Sequence, residues 1–196
     1  MGQIALHTGD LDIALSNFTQ RKALAGVIAA DDDIYTSAPY LALTYLRKAD
    51  YTKAQTQAHK AYDELQKVGF TQIHDLYTYF NTLEVAIHLW KHTGTDEFKT
   101  LTANVVGLTR RYTRLYPLMS AAQANWDAVL LWMDGKYPQA LRKWQQSITT
   151  AQRMGLLLDE AVAEYQWGMH LSVNDPLRAA HLVRAVELFR EMGADW

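Results

Sequence analysis

One local pattern returns along this 196-residue chain and limits what it can fold into. A turn is followed by an alanine, and four positions later by a large residue or a second alanine. Gly9-Asp10-Leu11 leads to Ala14 and Phe18, Ala49-Asp50-Tyr51 to Ala54 and Ala58, and Gly135-Lys136-Tyr137 to Ala140 and Trp144. Ala14 and Ala54 lie 40 apart, and Ala54 and Ala140 lie 86 apart, which is two intervals of 43. A fixed period of this size is the mark of stacked helical hairpins, each too small to bury its apolar face alone.

The pattern extends back into the preceding helix. Twelve positions before the three alanines stand Gly2, Ala42 and Ala128, and nine before stand Ala5, Tyr45 and Leu131. Taking Ala180 as a further reference puts Gly168 and Leu171 at the same offsets. Small residues at paired positions let two antiparallel helices approach closely, while the larger residue fills the space between hairpins. Gly69 and Gly155 each follow their alanine by fifteen residues, and Gly193 follows Ala180 by thirteen; left-handed helix caps are expected at all three.

The boundaries follow from local chemistry. Ten helices are expected, over about 1–8, 11–28, 34–48, 51–68, 72–92, 96–115, 118–134, 137–154, 157–172 and 176–192. Asp31-Asp32-Asp33 offers capping carboxylates to the third. Asn174-Asp175-Pro176 places a capping side chain before a proline that needs no N–H partner. Thr93-Gly94-Thr95-Asp96 marks a turn, and Tyr116-Pro117 ends the sixth helix. In the last helix Leu182, Ala185, Val186, Phe189 and Met192 fall at helical spacing and predict an apolar stripe. No strand-like alternation bounded by turns occurs. The fold class expected is all-α, a right-handed α-solenoid of about five antiparallel hairpins forming one domain over 1–196. Two hairpins depart from the pattern: Lys99 and Ile87 occupy the alanine and small positions of the third, and Arg184 the large position of the fifth.

The small-x-x-aromatic and alanine-x-x-x-aromatic offsets resemble the tetratricopeptide repeat, with a spacing longer than its usual period of about 34. The tail from Arg178 to Ala194 (RAAHLVRAVELFREMGA) is similar to a phrase common in the long-period tetratricopeptide regions of large bacterial signalling ATPases. Those regions accompany a nucleotide-cyclase domain or a helix-turn-helix transcription domain, and the helical-repeat sensor of the maltose-regulon activator is a looser relative. The resemblance implies a sensor or regulatory segment of a larger regulatory protein, with catalysis and DNA binding on parts outside this sequence. The expected function is therefore a non-catalytic protein–protein interaction scaffold. The alternative from another class is a peptide or small-ligand receptor that uses the concave groove.

Composition narrows the field. Nearly half the residues are hydrophobic, 49%, and with six Trp and eleven Tyr there is ample material for a core. A net charge of −2 does not favour nucleic acid or an anionic membrane, and the absence of cysteine removes thiolate chemistry and disulfides. No apolar run approaches the roughly 20 residues of a membrane span, and no signal-peptide pattern follows Met1, so a cytoplasmic protein is expected.

Candidate chemistry is sparse. His88 and His92 have the four-residue spacing of two metal ligands, but Leu89 stands where a metalloprotease carries glutamate, and no third ligand is close in sequence. Gly135-Lys136 lacks the first glycine and the Ser/Thr of a phosphate loop, because Leu130 and Tyr137 stand there. Arg110-Arg111-Tyr112-Thr113-Arg114, with Tyr116, is a basic and aromatic cluster. It can hold an anion, or simply be a solvated helix end whose cations favour the C-terminal dipole. No nucleophile or acid–base constellation is visible, so neither enzyme activity nor a cofactor is expected.

Partner binding is expected on the first helices of the hairpins. Counting back from the reference alanines, the inner positions are Tyr40, Leu43 and Arg47; Asn125, Trp126, Val129 and Trp132; and Tyr165, Gln166 and Met169. This mixture of aromatic, amide and aliphatic groups suits a protein or peptide rather than a polyanion. It lacks the lysine–asparagine arrangement with which some tetratricopeptide domains clamp a C-terminal carboxylate. A tryptophan at helical spacing is more often core than contact, and for Trp126 and Trp132 both readings stand. The interrupted first hairpin and the uncapped last helix predict exposed apolar faces, and with them a homodimer.

Overall fold

The computed structural model describes residues 5–6, 9–28, 37–68 and 76–193. Among these the structure is all-helical: nine α-helices, one short 3-10 turn at Pro117–Met119, and no strand. The helices are α1 (Leu11–Ile28), α2 (Ser37–Arg47), α3 (Tyr51–Val68), α4 (Leu76–Thr93), α5 (Asp96–Leu115), α6 (Ser120–Met133), α7 (Tyr137–Met154), α8 (Leu157–His170) and α9 (Pro176–Glu191). The chain divides into two compact units, residues 1–115 and 116–196. The sequence pattern predicts one domain.

Local chemistry sets the boundaries where the described residues allow a comparison. The turn after α2 carries Ala49 at φ 56°, and those after α6 and α7 carry Gly135 at 73° and Gly155 at 68°. Each turn closes with the same long backbone bond from the residue after the left-handed one: Asp50 N to Tyr45 O, Lys136 N to Leu131 O, and Leu156 N to Ala151 O, all at 2.9 Å. A helix end that reverses into the left-handed region satisfies its last carbonyls in this way, and glycine tolerates it best. At α9 the Asp175 carboxylate accepts from Leu177 N at 2.9 Å, with Pro176 in the first turn. The Asp31–Asp33 run, Gly69 and Gly2 lie outside the described residues.

In unit one, α2 packs on α1, α3 and α4, and α4 on α5. Ala14 and Phe18 of α1, Ala42 of α2, and Ala54, Ala58 and Ala61 of α3 are all buried, as their shared spacing predicts. The third hairpin resolves its apparent exception. Lys99 is exposed, whereas Phe98 and Thr102 on α5 are buried, as are Ala86 and Leu89 on α4 beside the equally buried Ile87. Counted from Phe98 instead of Lys99, Ala86 falls at the small position twelve back and Leu89 at the position nine back. Thr102 fills the large position and returns its hydroxyl to Phe98 O at 2.8 Å. The buried face of α5 therefore starts one residue earlier than in the other hairpins, and Phe98 does what alanine does elsewhere.

In unit two, α6 pairs with α7, α8 with α9, and α8 also packs on α6 and α7. Ala128, Ala140, Trp144, Ile148 and Ala151 are buried. Two polar ties pin α7 to α6: Trp144 Nε1 donates to Asn125 Oδ1 at 3.1 Å, and Ser147 Oγ donates to Ala121 O at 2.7 Å. The last hairpin corrects two expectations. Ala180 is exposed, and the buried face of α9 runs through Ala185 and Leu188 with His181 and Leu182 half-buried. The connection from Leu171 to Asp175 is longer than the turns inside the other hairpins, at 48–50, 94–95 and 134–136, and the register counted from Ala180 does not carry across it. Of the predicted stripe, Ala185 is buried and Leu182 and Phe189 are half-buried, but Val186 and Met192 are exposed.

Candidate functional site

The ten positions expected to face a partner separate sharply by burial. Tyr40, Leu43, Asn125, Trp126 and Val129 are buried. Tyr40 stacks on Phe18 with centroids 4.9 Å apart. Asn125 is committed to Trp144, and Trp126 is held inside the packing, so its side chain offers no surface to a partner in this conformation. Arg47 is half-buried and structural in its contacts, donating to Leu6 O at 2.8 Å with Glu84 at 3.8 Å. Trp132 is half-buried within an aromatic group. Its ring lies 4.6 Å from Tyr137, 5.6 Å from Trp144 and edge-on to His170 at 5.7 Å.

The exposed members are on α8. Tyr165 is 43% and Met169 46% exposed, with Gln166 half-buried between them. Val162, one turn before Gln166, and Leu158, one turn before Val162, are half-buried. These residues recur at three- and four-residue spacing, so they form one stripe along the helix. The opposite side of α8 is committed inward, where Glu160, Glu164 and Trp167 meet Arg184 and His181 of α9. The stripe's far end is buttressed by Arg178, which donates to Leu171 O at 2.7 Å and reaches Met169 O at 3.5 Å. An aromatic ring, an amide and a thioether on a rigid helix can anchor an apolar side chain and hydrogen-bond its backbone.

Behind that stripe lies a layer that spacing alone does not reveal. The Trp144, Trp167 and His181 rings form a column, Trp144–Trp167 at 6.4 Å and Trp167–His181 at 4.1 Å, both stacked. Three carboxylates on α8, Asp159, Glu160 and Glu164, are buried beside it. Glu160 Oε1 accepts from Arg184 at 3.0 and 3.2 Å and from Gln152 at 3.1 Å. Glu164 Oε2 lies 2.5 Å from His181 Nδ1. Asp159 lacks such a cation, and burial pushes its carboxyl up to about 7. The one sequence signal for this layer is a run of acidic residues in the first turns of a helix, which ordinarily reads as dipole complementation on a solvated face.

The other candidates dissolve into structure. His92 stacks on Tyr51 at 3.8 Å, and among the described residues no group of three His, Cys, Asp or Glu could hold a metal ion. Arg110, Arg111 and Arg114 are exposed near the end of α5, but Tyr112 is fully buried and stacks on Tyr79 at 4.3 Å. Tyr112 thus points into the core, while Tyr116 is half-buried. In unit one the Glu64 carboxyl is buried and pushed up to about 7 by that burial, against the pull of Lys60 and Lys22. Among the described residues no helix is long and apolar enough to cross a membrane.

No protein-family model and no curated protein matches this sequence.

Proposed function

We propose that this chain is a non-catalytic interaction segment, a right-handed α-solenoid of the tetratricopeptide type within a cytoplasmic bacterial regulator, that binds protein or peptide along the outer side of α8. The observation that carries the reading is the exposed Tyr165–Gln166–Met169 stripe, set on a helix whose opposite side is locked to α9. Rigid placement of an aromatic and a thioether lowers the entropic cost of binding. The hairpin packing and the tail's likeness to signalling-ATPase repeat regions supply the rest of the argument. The second part of the proposal is self-association through the outer side of α9, where Val183 is 58% exposed and Val186 45%.

The test is selection of peptides from a displayed random library on the full chain, followed by titration of synthetic winners. Tyr165→Ala and Met169→Ala are expected to weaken them about tenfold each, a hot-spot loss near 1.4 kcal/mol, with unchanged helicity. Winners indifferent to both substitutions would place the site elsewhere. Recovery of no peptide, together with thermal stabilisation by small metabolites, would favour a small-ligand receptor. The natural gene around residues 1 and 196 tests the regulatory context: an adjoining ATPase, cyclase or DNA-binding segment supports it, and an adjoining membrane or secretion signal opposes it.

A further inference from the structure

Charge in unit two is divided by helix. The first helices of its hairpins, α6 and α8, carry the carboxylates Asp127, Asp159, Glu160 and Glu164 and no lysine or arginine. The helix between them, α7, carries Arg142, Lys143 and Arg153 and no acid. Glu160 and Glu164 are paired with Arg184 and His181 of α9. Asp159 is more than nine-tenths buried and makes no hydrogen bond or ion pair among the described residues. Asp127 accepts from Gln123 Nε2 at 3.1 Å. Gln123 is itself more than nine-tenths buried, and its Oε1 has no hydrogen-bond partner.

These acceptors lie beside the exposed stripe of α8. Ala121 and Asn125 of α6 meet Ser147 and Trp144 of α7 in reverse order, as Glu160 and Trp167 of α8 meet Gln152 and Trp144. Both helices are thus antiparallel to α7 and parallel to each other, and they pack together. Two residues along an α-helix is slightly more than half a turn. Gln123 and Asp127 therefore fall on the side of α6 opposite Asn125, and Tyr165 and Met169 on the side of α8 opposite Trp167. Asn125 and Trp167 both meet Trp144, so both free sides open away from α7, on axes about 8–10 Å apart. Asp159 borders the stripe, three residues before Val162 and seven before Gln166. We propose that the partner of the α8 stripe is a basic amphipathic helix. Its apolar side seats on Leu158, Val162, Tyr165 and Met169, and its lysine or arginine side chains reach Asp127, Gln123 Oε1 and Asp159. This rests on the reading of that stripe as the binding site and names the chemistry of what binds.

The spacing of the stripe selects a helix. Leu158, Val162, Tyr165 and Met169 follow one another at four, three and four residues, the seam along which two helices interlock. The main-chain N–H and C=O groups along α8 are used within the helix, so the stripe offers an extended strand no ladder of backbone bonds. A helical partner needs none. Charge selects a basic partner. A carboxylate buried without a counter-ion is costly, and a cation brought by the partner offsets that cost at Asp159. An amide oxygen such as Gln123 Oε1 accepts hydrogen bonds and gives none, which suits an ammonium or guanidinium and not a carboxylate. Lys136, the cation nearest to α6 in sequence, is paired with Asp134 at 3.0 Å. An acidic partner would set like charges beside Asp127 and Asp159 with no lysine or arginine on either helix to offset them.

The experiment titrates the full chain, by fluorescence anisotropy, with synthetic peptides of about five helical turns. Three share one leucine seam and carry lysine, glutamine or glutamate on the remaining positions; a fourth is the lysine peptide with two central prolines. The lysine peptide is expected to bind about tenfold more tightly than the glutamine peptide at low salt, with the gap closing as salt rises. The glutamate peptide is expected to bind weakest, and the proline peptide about tenfold less tightly than its parent. Asp127→Asn and Asp159→Asn should each narrow the lysine–glutamine gap about threefold and leave the glutamine peptide unchanged. Glu191→Gln, the same charge change at the exposed end of α9, should leave the gap intact. Circular dichroism establishes that each variant is folded. A gap that survives both Asn substitutions, a glutamate peptide bound as tightly as the lysine one, or a proline peptide as tight as its parent would each overturn the basic helix. In those cases Tyr165→Ala still weakening the peptides would leave the stripe standing as the site. Peptides indifferent to Tyr165→Ala and Met169→Ala would remove the stripe itself, and the basic helix with it. Binding of none of the four would likewise overturn the basic helix.

Discussion

Gly168 and Leu182 show how a single atom can decide packing. Alanine is the better helix former by about 1 kcal/mol, so Gly168→Ala in an exposed helix would stabilise. Here the added carbon would meet Leu182 Cγ at 2.8 Å, Cδ2 at 2.9 Å and Arg178 O at 3.3 Å. The expected net result is a loss of about 1–2 kcal/mol, since overpacking costs more than propensity returns. Urea denaturation measures it, and Leu182→Ala in the same chain should recover part of the loss if that contact is the cause. Ala49 is the converse case. It holds φ 56° in a turn whose counterparts carry glycine, so Ala49→Gly is expected to stabilise by about 0.5–1 kcal/mol. Asp159 adds a pH dependence. Burial pushes its carboxyl in the folded chain up to about 7, well above the ordinary value of 3.8. The folded state thus binds more protons between those values, and stability falls as pH rises through that window and levels off above it. Asp159→Asn should remove this slope and raise stability by about 4 kcal/mol above pH 8, read from denaturation midpoints across pH.

At the scale of helices, much was legible in advance. The spans predicted at 11–28, 51–68, 96–115 and 137–154 coincide with α1, α3, α5 and α7, because each is bracketed by a turn residue and a three-four apolar spacing that local chemistry alone enforces. Facing was less legible. Spacing identifies Phe98 as apolar but cannot say that the buried side of α5 begins with it rather than at the alanine position, because the choice depends on how Ala86 and Leu89 of α4 present themselves. The same limit governs the candidate site. Tyr165 and Met169 are exposed, but Trp126, of the same class by sequence, is buried. Periodicity is blind to which side of a helix its neighbours cover. The tie between α6 and α7 yields a prediction at this scale. Trp144 is fully buried and its indole N–H is held by Asn125. Trp144→Phe should therefore cost about 2 kcal/mol by stranding the Asn125 carbonyl and leaving a small void, and Trp144→Ala about 3–5 kcal/mol. A loss of less than 1 kcal/mol for the alanine variant would show that α7 is held by its alanine contacts rather than by this side chain.

For the molecule as a whole, the question is what covers the apolar surface that the folded chain leaves in water. On α9, Leu177, Val183 and Val186 are each 45–58% exposed, and Met192 lies at the end of the helix. Val183 and Val186 lie one and two turns beyond the small, exposed Ala179 on the same side of the helix, which leaves room there for a second helix to approach closely. Charge does not oppose the approach, since Glu187 and Arg190 lie on the same side of the helix, three residues apart, and two copies related by a two-fold axis can pair them reciprocally. The net charge of −2 is too small to keep copies apart. The expected outcome is a dimer whose population rises with concentration, measured as mass by light scattering, and a return to monomer when Val183 and Val186 are both replaced by glutamate. A mass near 22.3 kDa at every concentration would defeat the dimer. A dimer unaffected by the double substitution would move the interface off α9 while leaving the exposed Tyr165–Met169 stripe of α8 to be tested separately.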